Sequence, residues 1–200
     1  ETGSLGFRGE ALASISEVSH FILRSRIASE HAGCEIEVHG GEAGPVVPCG
    51  CPIGTSIEVR HLFFNTPVRR KFLKTPQTEM GHIGEAFTRI ALAHNTVHFT
   101  LLHNDRVVHE LPPTESWAGR IVHFFGPEIR DALIPVEAES AELRLKGFVV
   151  DPTHSRSHNR MQYLFLNGRH IKDRSLQHAL GEAYRGLMMT GRYPLAFLRL

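Results

Sequence analysis

Gly3-Ser4-Leu5-Gly6-Phe7-Arg8-Gly9-Glu10-Ala11-Leu12 opens the chain, and its glycines run directly into a helix-forming stretch, Glu10 to Val18. Glycine permits φ > 0 and lets backbone approach a ligand closely. A helix beginning just after such a loop aims unpaired N–H groups and the positive end of its dipole at whatever sits there. That is the physical recipe for holding phosphate. A glycine-rich turn that merely starts a helix has the same spacing, and neither GxxxxGK[ST] nor GxGxxG is present. Glu10, the one carboxylate inside the loop, is either a base or a residue that favours a helix N-terminus.

Working outward, the periodicities predict a mixed chain. Leu12, Ile15 and Val18 predict a helix ending near His20, followed by a strand over 21–25. Residues 34–39 alternate as a half-buried strand, Gly40-Gly41 and Gly44-Pro45 mark a turn, and 46–47 and 55–60 resume as strands. Asn65 or Thr66 before Pro67 starts a short helix carrying Arg69, Arg70, Lys71 and Lys74. Thr75-Pro76 starts a longer one with an apolar stripe of Met80, Ile83, Phe87, Ile90, Ala91 and His94. A hairpin over 97–111 turns at 103–105. Leu111-Pro112-Pro113-Thr114 then places a domain boundary, with Thr114 capping a helix through Phe125. Strands are expected at 134–136 and 142–150. Residues 161–166 and 169–172 flank Asn167-Gly168, a strong two-residue hairpin signal. Asp173 caps a helix in which Leu176, Leu180, Ala183, Tyr184 and Leu187 share a face, and 194–200 is a buried strand.

Composition excludes several classes. With 42% hydrophobic residues in 200, the chain can bury one large core or two small ones. The net charge of +1 announces no nucleic acid, so any such binding comes from local patches. No apolar run approaches a membrane span, and no basic-then-apolar leader is present. Cys34, Cys49 and Cys51 form no disulfide framework, and with His39 they fall short of a zinc set, so no metal site is expected. The 14 histidines contain no HExxH pair, and no serine has a nucleophile-elbow context.

GFRGEALASIS closely resembles the phosphate-loop motif of the MutL family of DNA mismatch-repair ATPases. That family belongs to the wider GHKL group with type II topoisomerases, heat-shock chaperone ATPases and histidine kinases. Gly54-Thr55-Ser56-Ile57-Glu58-Val59 and then Leu62-Phe63-Phe64-Asn65-Thr66-Pro67-Val68-Arg69-Arg70-Lys71-Phe72-Leu73 look like the next two family motifs, in order. Asp151-Pro152-Thr153-His154 and Phe165-Leu166-Asn167-Gly168-Arg169 resemble patterns of the family's second domain, so the similarity covers nearly the whole chain.

The resemblance implies an α+β fold. Residues 1–112 would be the C-terminal half of a GHKL ATPase sandwich, and 114–200 a truncated βαβ domain of the small-ribosomal-protein type that contacts DNA. It implies ATP and magnesium as cofactors of the complete protein. The phosphates would be held by Gly6, Phe7, Arg8, Gly9, Glu10, Ala11 and Leu12, with Thr55 on the adenine side. The family's base, its magnesium-binding Asn and its adenine-reading Asp belong upstream of Glu1, so this stretch alone is expected not to hydrolyse ATP. DNA, a homodimer or paralogue dimer, and a mismatch-recognition protein are the implied partners. The setting would be the cytoplasm or nucleoid of a bacterium, or a eukaryotic nucleus, without a membrane. Arg169, Lys172, Arg174 and Arg160 are the candidate DNA contacts, since cations at a hairpin tip reach backbone phosphates. A non-catalytic DNA- or protein-interaction module, or another GHKL ATPase such as a type II topoisomerase, is the alternative; NTPVRRKF argues against the latter.

Overall fold

In the computed structural model, which describes residues 10–141 and 143–200, contacts divide the chain into two compact units that meet between Glu79 and Met80. The sequence boundary at 112–114 therefore falls inside the second unit.

In the first unit α1 (Ala11–Ser16) leads into β1 (His20–Arg26), which pairs antiparallel with both β2 (Gly33–His39) and β5 (Gly54–Arg60). β3 (Glu42–Ala43) and β4 (Val47–Cys49) add to β2. The helix stops short of the expected end near His20: Gly41 N–H takes the carbonyl of its last residue, Ser16, and Gly40 N–H donates to Ser19 O just beyond it. Arg24 bridges Glu35 and Glu58 across three strands. Among the described residues of this unit, Val18, Phe21 and Val38 are the buried apolar side chains, while Val47, Ile57 and Val59 are exposed.

α2 (Pro67–Arg70) is a single turn, so Lys71 and Lys74 lie past it rather than on it. Neither expected cap acts on it. Asn65 instead donates to Glu17 O at 2.9 Å, and the Thr66 hydroxyl has no partner. Thr75 does accept from Thr78 N–H at the start of α3 (Pro76–Ala93), and Glu79 accepts from Lys74 N–H.

The second unit is built on one sheet in the order β11-β10-β12-β9-β8, comprising β8 (Leu133–Glu139), β9 (Arg144–Val150), β10 (Gln162–Leu166), β11 (Arg169–Ile171) and β12 (Ala196–Arg199). β10 and β12 are parallel neighbours, which requires a crossover, and α5 (Arg174–Ala183) lies between them in the chain. This is the expected βαβ unit. Both faces are covered, so the central strands read as continuous apolar runs. Tyr163, Phe165, Val150 and Phe197 pack with Trp117 and Ile121 of α4 (Trp117–Phe125), while Leu164, Ala196 and Leu198 pack with Leu180 and Tyr184 of α5. Leu187, expected on that α5 face, lies past the helix and is 64% exposed. Gly147 in β9 is where sheet geometry leaves no room, since a Cβ there would lie 2.1 Å from Phe197 O.

Ser116, not Thr114, caps α4: its hydroxyl accepts from Gly119 N–H at 3.1 Å. Thr114 is spent on Asn95, their main chains and side chains bonding in both directions. The hairpin of β6 (Phe99–His103) and β7 (Arg106–Leu111) is tied to α4 by Arg120, wholly buried, which donates to the carbonyls of Leu111, Asn95 and Val97. Carbonyls rather than a carboxylate receive this charge, and burial lowers its pKa. Arg199 stacks 4.0 Å over Trp117 and donates to Leu92 and Ala93 carbonyls at the end of α3. These bonds cross the 112–114 boundary. The α3 stripe is correspondingly uneven: Ala91 and Leu92 are fully buried, whereas Ile83 and Ile90 are each 51% exposed.

Candidate functional site

Gly6, Phe7, Arg8 and Gly9 lie outside the described residues. Glu10 is exposed and starts α1 in helical conformation, with no side-chain cap on the helix and its carbonyl accepting from Ser14 N–H. Ala11 and Leu12 form the first turn. The other end of α1 is held firmly. Phe63 N–H donates to Val18 O at 2.7 Å, Asn65 to Glu17 O, and Ser19 Oγ to Ile15 O at 2.7 Å. Phe63 and Asn65 belong to the same motif as Pro67-Val68-Arg69-Arg70, so that motif positions the helix following the glycine loop.

Thr55 stands opposite Ser25 in the β1–β5 register, their hydroxyls 2.9 Å apart. Together with Arg24, Cys51, Pro52, Ile53, Gly54 and Ser56 it lines a recess of about 100 Å³. The described residues contain no group of three or more His, Cys, Asp or Glu that could hold a metal ion.

The second unit holds the denser constellation. A recess of about 280 Å³ is lined by Glu85 and Arg89 of α3, Asn159, Arg160 and Gln162 around the start of β10, His170 and Lys172 at β11, and Arg174 and Gln177 of α5. The hairpin itself is the tight form that Asn-Gly predicts, with φ of 48° at Asn167 and 79° at Gly168. From there period-2 alternation decides which cation goes where. His170 and Lys172 face the recess, whereas Arg169 shares its side with Ile171, which packs toward the α5 cluster. The structure thus brings together Arg160, Lys172 and Arg174 of the four expected DNA residues, and Arg169 does not line the recess. Asp173 Oδ1 accepts from Leu176 N–H at 2.8 Å, which fixes the α5 N-terminus and so the direction of Arg174.

Arg89 was not anticipated. The i,i+4 pair Glu85–Arg89 on the polar side of α3 was its only sequence signal, and the structure makes it an ion pair. The charges otherwise leave the recess cationic. His170 adds none: burial first, then Arg89 and Lys172, push its pKa down to about 4, against Glu85. Burial, and then Glu85, push Tyr163 beneath it up to about 12. Gln162 is only 5% exposed, donates to Pro194 O at 3.5 Å, and has an Oε1 without a partner. The recess can attract and orient an anion, and it offers one acceptor. It holds no nucleophile with a base. Asp151 of the DPTH motif plays a local part: its carboxylate accepts from Thr153 N–H and Oγ1 at 2.9 and 2.5 Å, which lowers its pKa and closes the turn after β9.

Comparison with known proteins now gives these features their context. Residues 121–200 match the family described as DNA mismatch repair protein, C-terminal domain. The DNA mismatch repair protein MutL of Syntrophotalea carbinolica is 45% identical over 98% of this chain, and that of Pseudomonas putida 45% over 96%. The chain spans 31% of the length of each of these relatives. Among solved structures, the Aquifex aeolicus MutL ATPase domain complexed with ADP superposes with a TM-score of 0.76 at 34% identity, covering 96% of this chain and 71% of that one. The N-terminal domain of a DNA repair protein has the same fold, with a TM-score of 0.82 at 21% identity. No helix among the described residues is long and apolar enough to cross a membrane. Sequence and fold agree over nearly all of its length: the chain belongs to the MutL family of DNA mismatch-repair proteins.

Proposed function

We propose that this stretch contributes part of an ATP site and a DNA-contacting surface to a mismatch-repair ATPase of MutL type. In the complete protein, nucleotide binding and hydrolysis would drive dimerisation and couple it to DNA binding and recruitment of repair partners beside the bacterial chromosome. The observation that carries the DNA reading is the convergence of Arg160, from before β10, with Lys172 and Arg174, from after β11, on one recess. Such cations give affinity that is salt-sensitive and largely independent of sequence. Arg169, at the hairpin end, is a separate proposed contact.

On the nucleotide side, the Aquifex relative was solved with ADP, and the residues that open α1 fit the same role here. Gly6, Phe7, Arg8 and Gly9 with the first turn, Glu10 to Leu12, would hold the phosphates through backbone N–H groups. Thr55 would lie at the adenine end. Magnesium, when bound, neutralises phosphate charge, and its ligands would come from outside the described residues. Steady-state phosphate release by this stretch alone is therefore expected to match a no-protein control.

The test of the DNA surface is direct. The triple variant Arg160→Gln, Lys172→Gln, Arg174→Gln should bind a fluorescent duplex far more weakly than the parent in an anisotropy titration. Unchanged affinity with a folded variant would place the DNA surface elsewhere.

A further inference from the structure

Three histidines far apart in sequence meet at one end of the first sheet. His20 opens β1, His39 closes β2, and His61 follows β5; the pairing His20↔His39 and His20↔Arg60 brings them side by side. The His20 ring lies edge-on to His39 at 4.8 Å, to His61 at 5.0 Å and to Phe64 at 4.6 Å. Beside them is a recess of about 240 Å³ lined by His20, His61, Leu62, Phe64 and Arg70. The proposed ATP and DNA roles use none of its polar side chains.

The chemistry of the lining is one-sided. His20, His61 and Arg70 are donors or cations, and no carboxylate among the described residues lines the cavity. Arg70, at the end of α2, has no ion-pair partner among the described residues. The nearby carboxylates are directed elsewhere: Glu37 is 3.4 Å from His39, Glu58 is held by Arg24 and Arg60, and Glu17 lies against Gly41. The wall is also held in an unusual backbone state. His61 and Phe63 have φ of 52° and 64°, a region that non-glycine residues occupy at a cost, usually where the surroundings impose it for a purpose. The bonds from Phe63 and Asn65 to the end of α1 impose it here and leave the His61 ring on the recess wall.

Among the described residues no such cluster has metal-binding geometry. An anion suits the charges. We propose that the recess walled by His20, His61, Phe64 and Arg70 binds a tetrahedral oxyanion, phosphate or sulfate, with affinity that rises as pH falls. The volume is below that of typical sites for drug-sized ligands and suits a small anion. Without a ligand, burial first and then His39 and His61 lower the pKa of His20. A bound dianion beside the ring favours its charged form and draws the proton back, so binding and protonation reinforce each other. Because the loop clamps α1, occupancy would stiffen the helix that follows the glycine loop.

The test is a titration of the full chain with sodium sulfate, followed by imidazole ¹H–¹⁵N resonances, against sodium chloride at equal ionic strength. Sulfate keeps its charge across the range, so the pH dependence reports the protein. Saturable shifts at His20 and His61 are expected near pH 6, with affinity at least about fivefold weaker near pH 8. Phosphate should compete. Arg70→Gln, at an exposed position, and His61→Asn, which tolerates the left-handed backbone, should each weaken sulfate binding by about fivefold or more. Shifts matched by chloride, or wild-type sulfate affinity in both variants, would overturn the assignment.

Discussion

Arg174→Gln should reduce the salt dependence of DNA binding by an amount fixed by the recess geometry. Four cations line it, but Arg89 is committed to Glu85, and His170 is neutral, which leaves Arg160, Lys172 and Arg174 for phosphate. Each phosphate neutralised contributes about −0.9 to the slope of log K against log salt on duplex DNA. The three recess contacts together contribute a slope of about −2.7, so raising salt from about 50 to about 200 mM should weaken their share of binding about 40-fold. Losing Arg174 leaves two recess contacts, a contribution of about −1.8, and a loss of about 12-fold in that share over the same range. Glutamine keeps helix propensity in the first turn of α5, and the cap from Asp173 is untouched, so the fold should be unaffected. Arg185→Gln, an exposed residue paired with Glu182 at the far end of that helix, is the control and should keep the parental slope. Anisotropy titrations at four or so salt concentrations supply all three slopes. If Arg174→Gln and Arg185→Gln give the same slope as the parent, Arg174 does not touch phosphate and the recess reading fails.

The second unit should lose stability as pH falls. His170 has a folded pKa of about 4, below its ordinary 6.5, so its contribution is complete above about pH 6.5 and is lost progressively as pH falls toward 4. Partial solvation reduces the nominal shift to about 1–2 kcal/mol, and urea midpoints of His170→Gln should show a flatter pH profile over that window. Cys34 is exposed while Cys49 is partly covered and has its thiol pKa raised by burial, then by Cys51; mass spectrometry should find Cys34 alkylated by iodoacetamide well before Cys49. Gly147→Ala should cost about 3 kcal/mol or more in urea unfolding, because its Cβ collides with the Phe197 carbonyl of the paired strand, whereas Gly181→Ala, with open space, should not destabilise.

The sequence was most informative where local rules suffice. Asn167-Gly168, Asp173 and the Thr75-Pro76 start each act within a few residues, and each element forms where its signal lies. It was least informative where long-range bonds compete. Thr114 has the chemistry of a cap but is drawn away by Asn95, and Ser116 takes the role. The unit division is hidden for the same reason, because Leu111-Pro112-Pro113 breaks periodicity and reveals nothing of the Arg120 and Arg199 bonds that span it. Of the candidate sites, the hairpin cations were legible, while Arg89 and the meeting of His20, His39 and His61 depend on tertiary placement alone.

Arginine count is accordingly a poor guide to the proposed DNA surface. Arg120 and Arg199 are surrounded by carbonyls and aromatic rings, and burial lowers the pKa of both, so their charge is spent on holding α3, the β6–β7 hairpin and α4 together. Arg24 is neutralised by two carboxylates. What separates Arg160, Lys172 and Arg174 is backbone placement: a 3-10 turn, the end of a short strand and the first turn of a capped helix converge on one rim. A one-residue slip in β11 would turn Lys172 and His170 toward the α5 cluster and bring Arg169 and Ile171 to the recess. Ile171 is the residue that forbids that slip, since its side chain belongs to the buried cluster under α5. The apolar packing of one strand face therefore fixes which cations the other face presents to the recess.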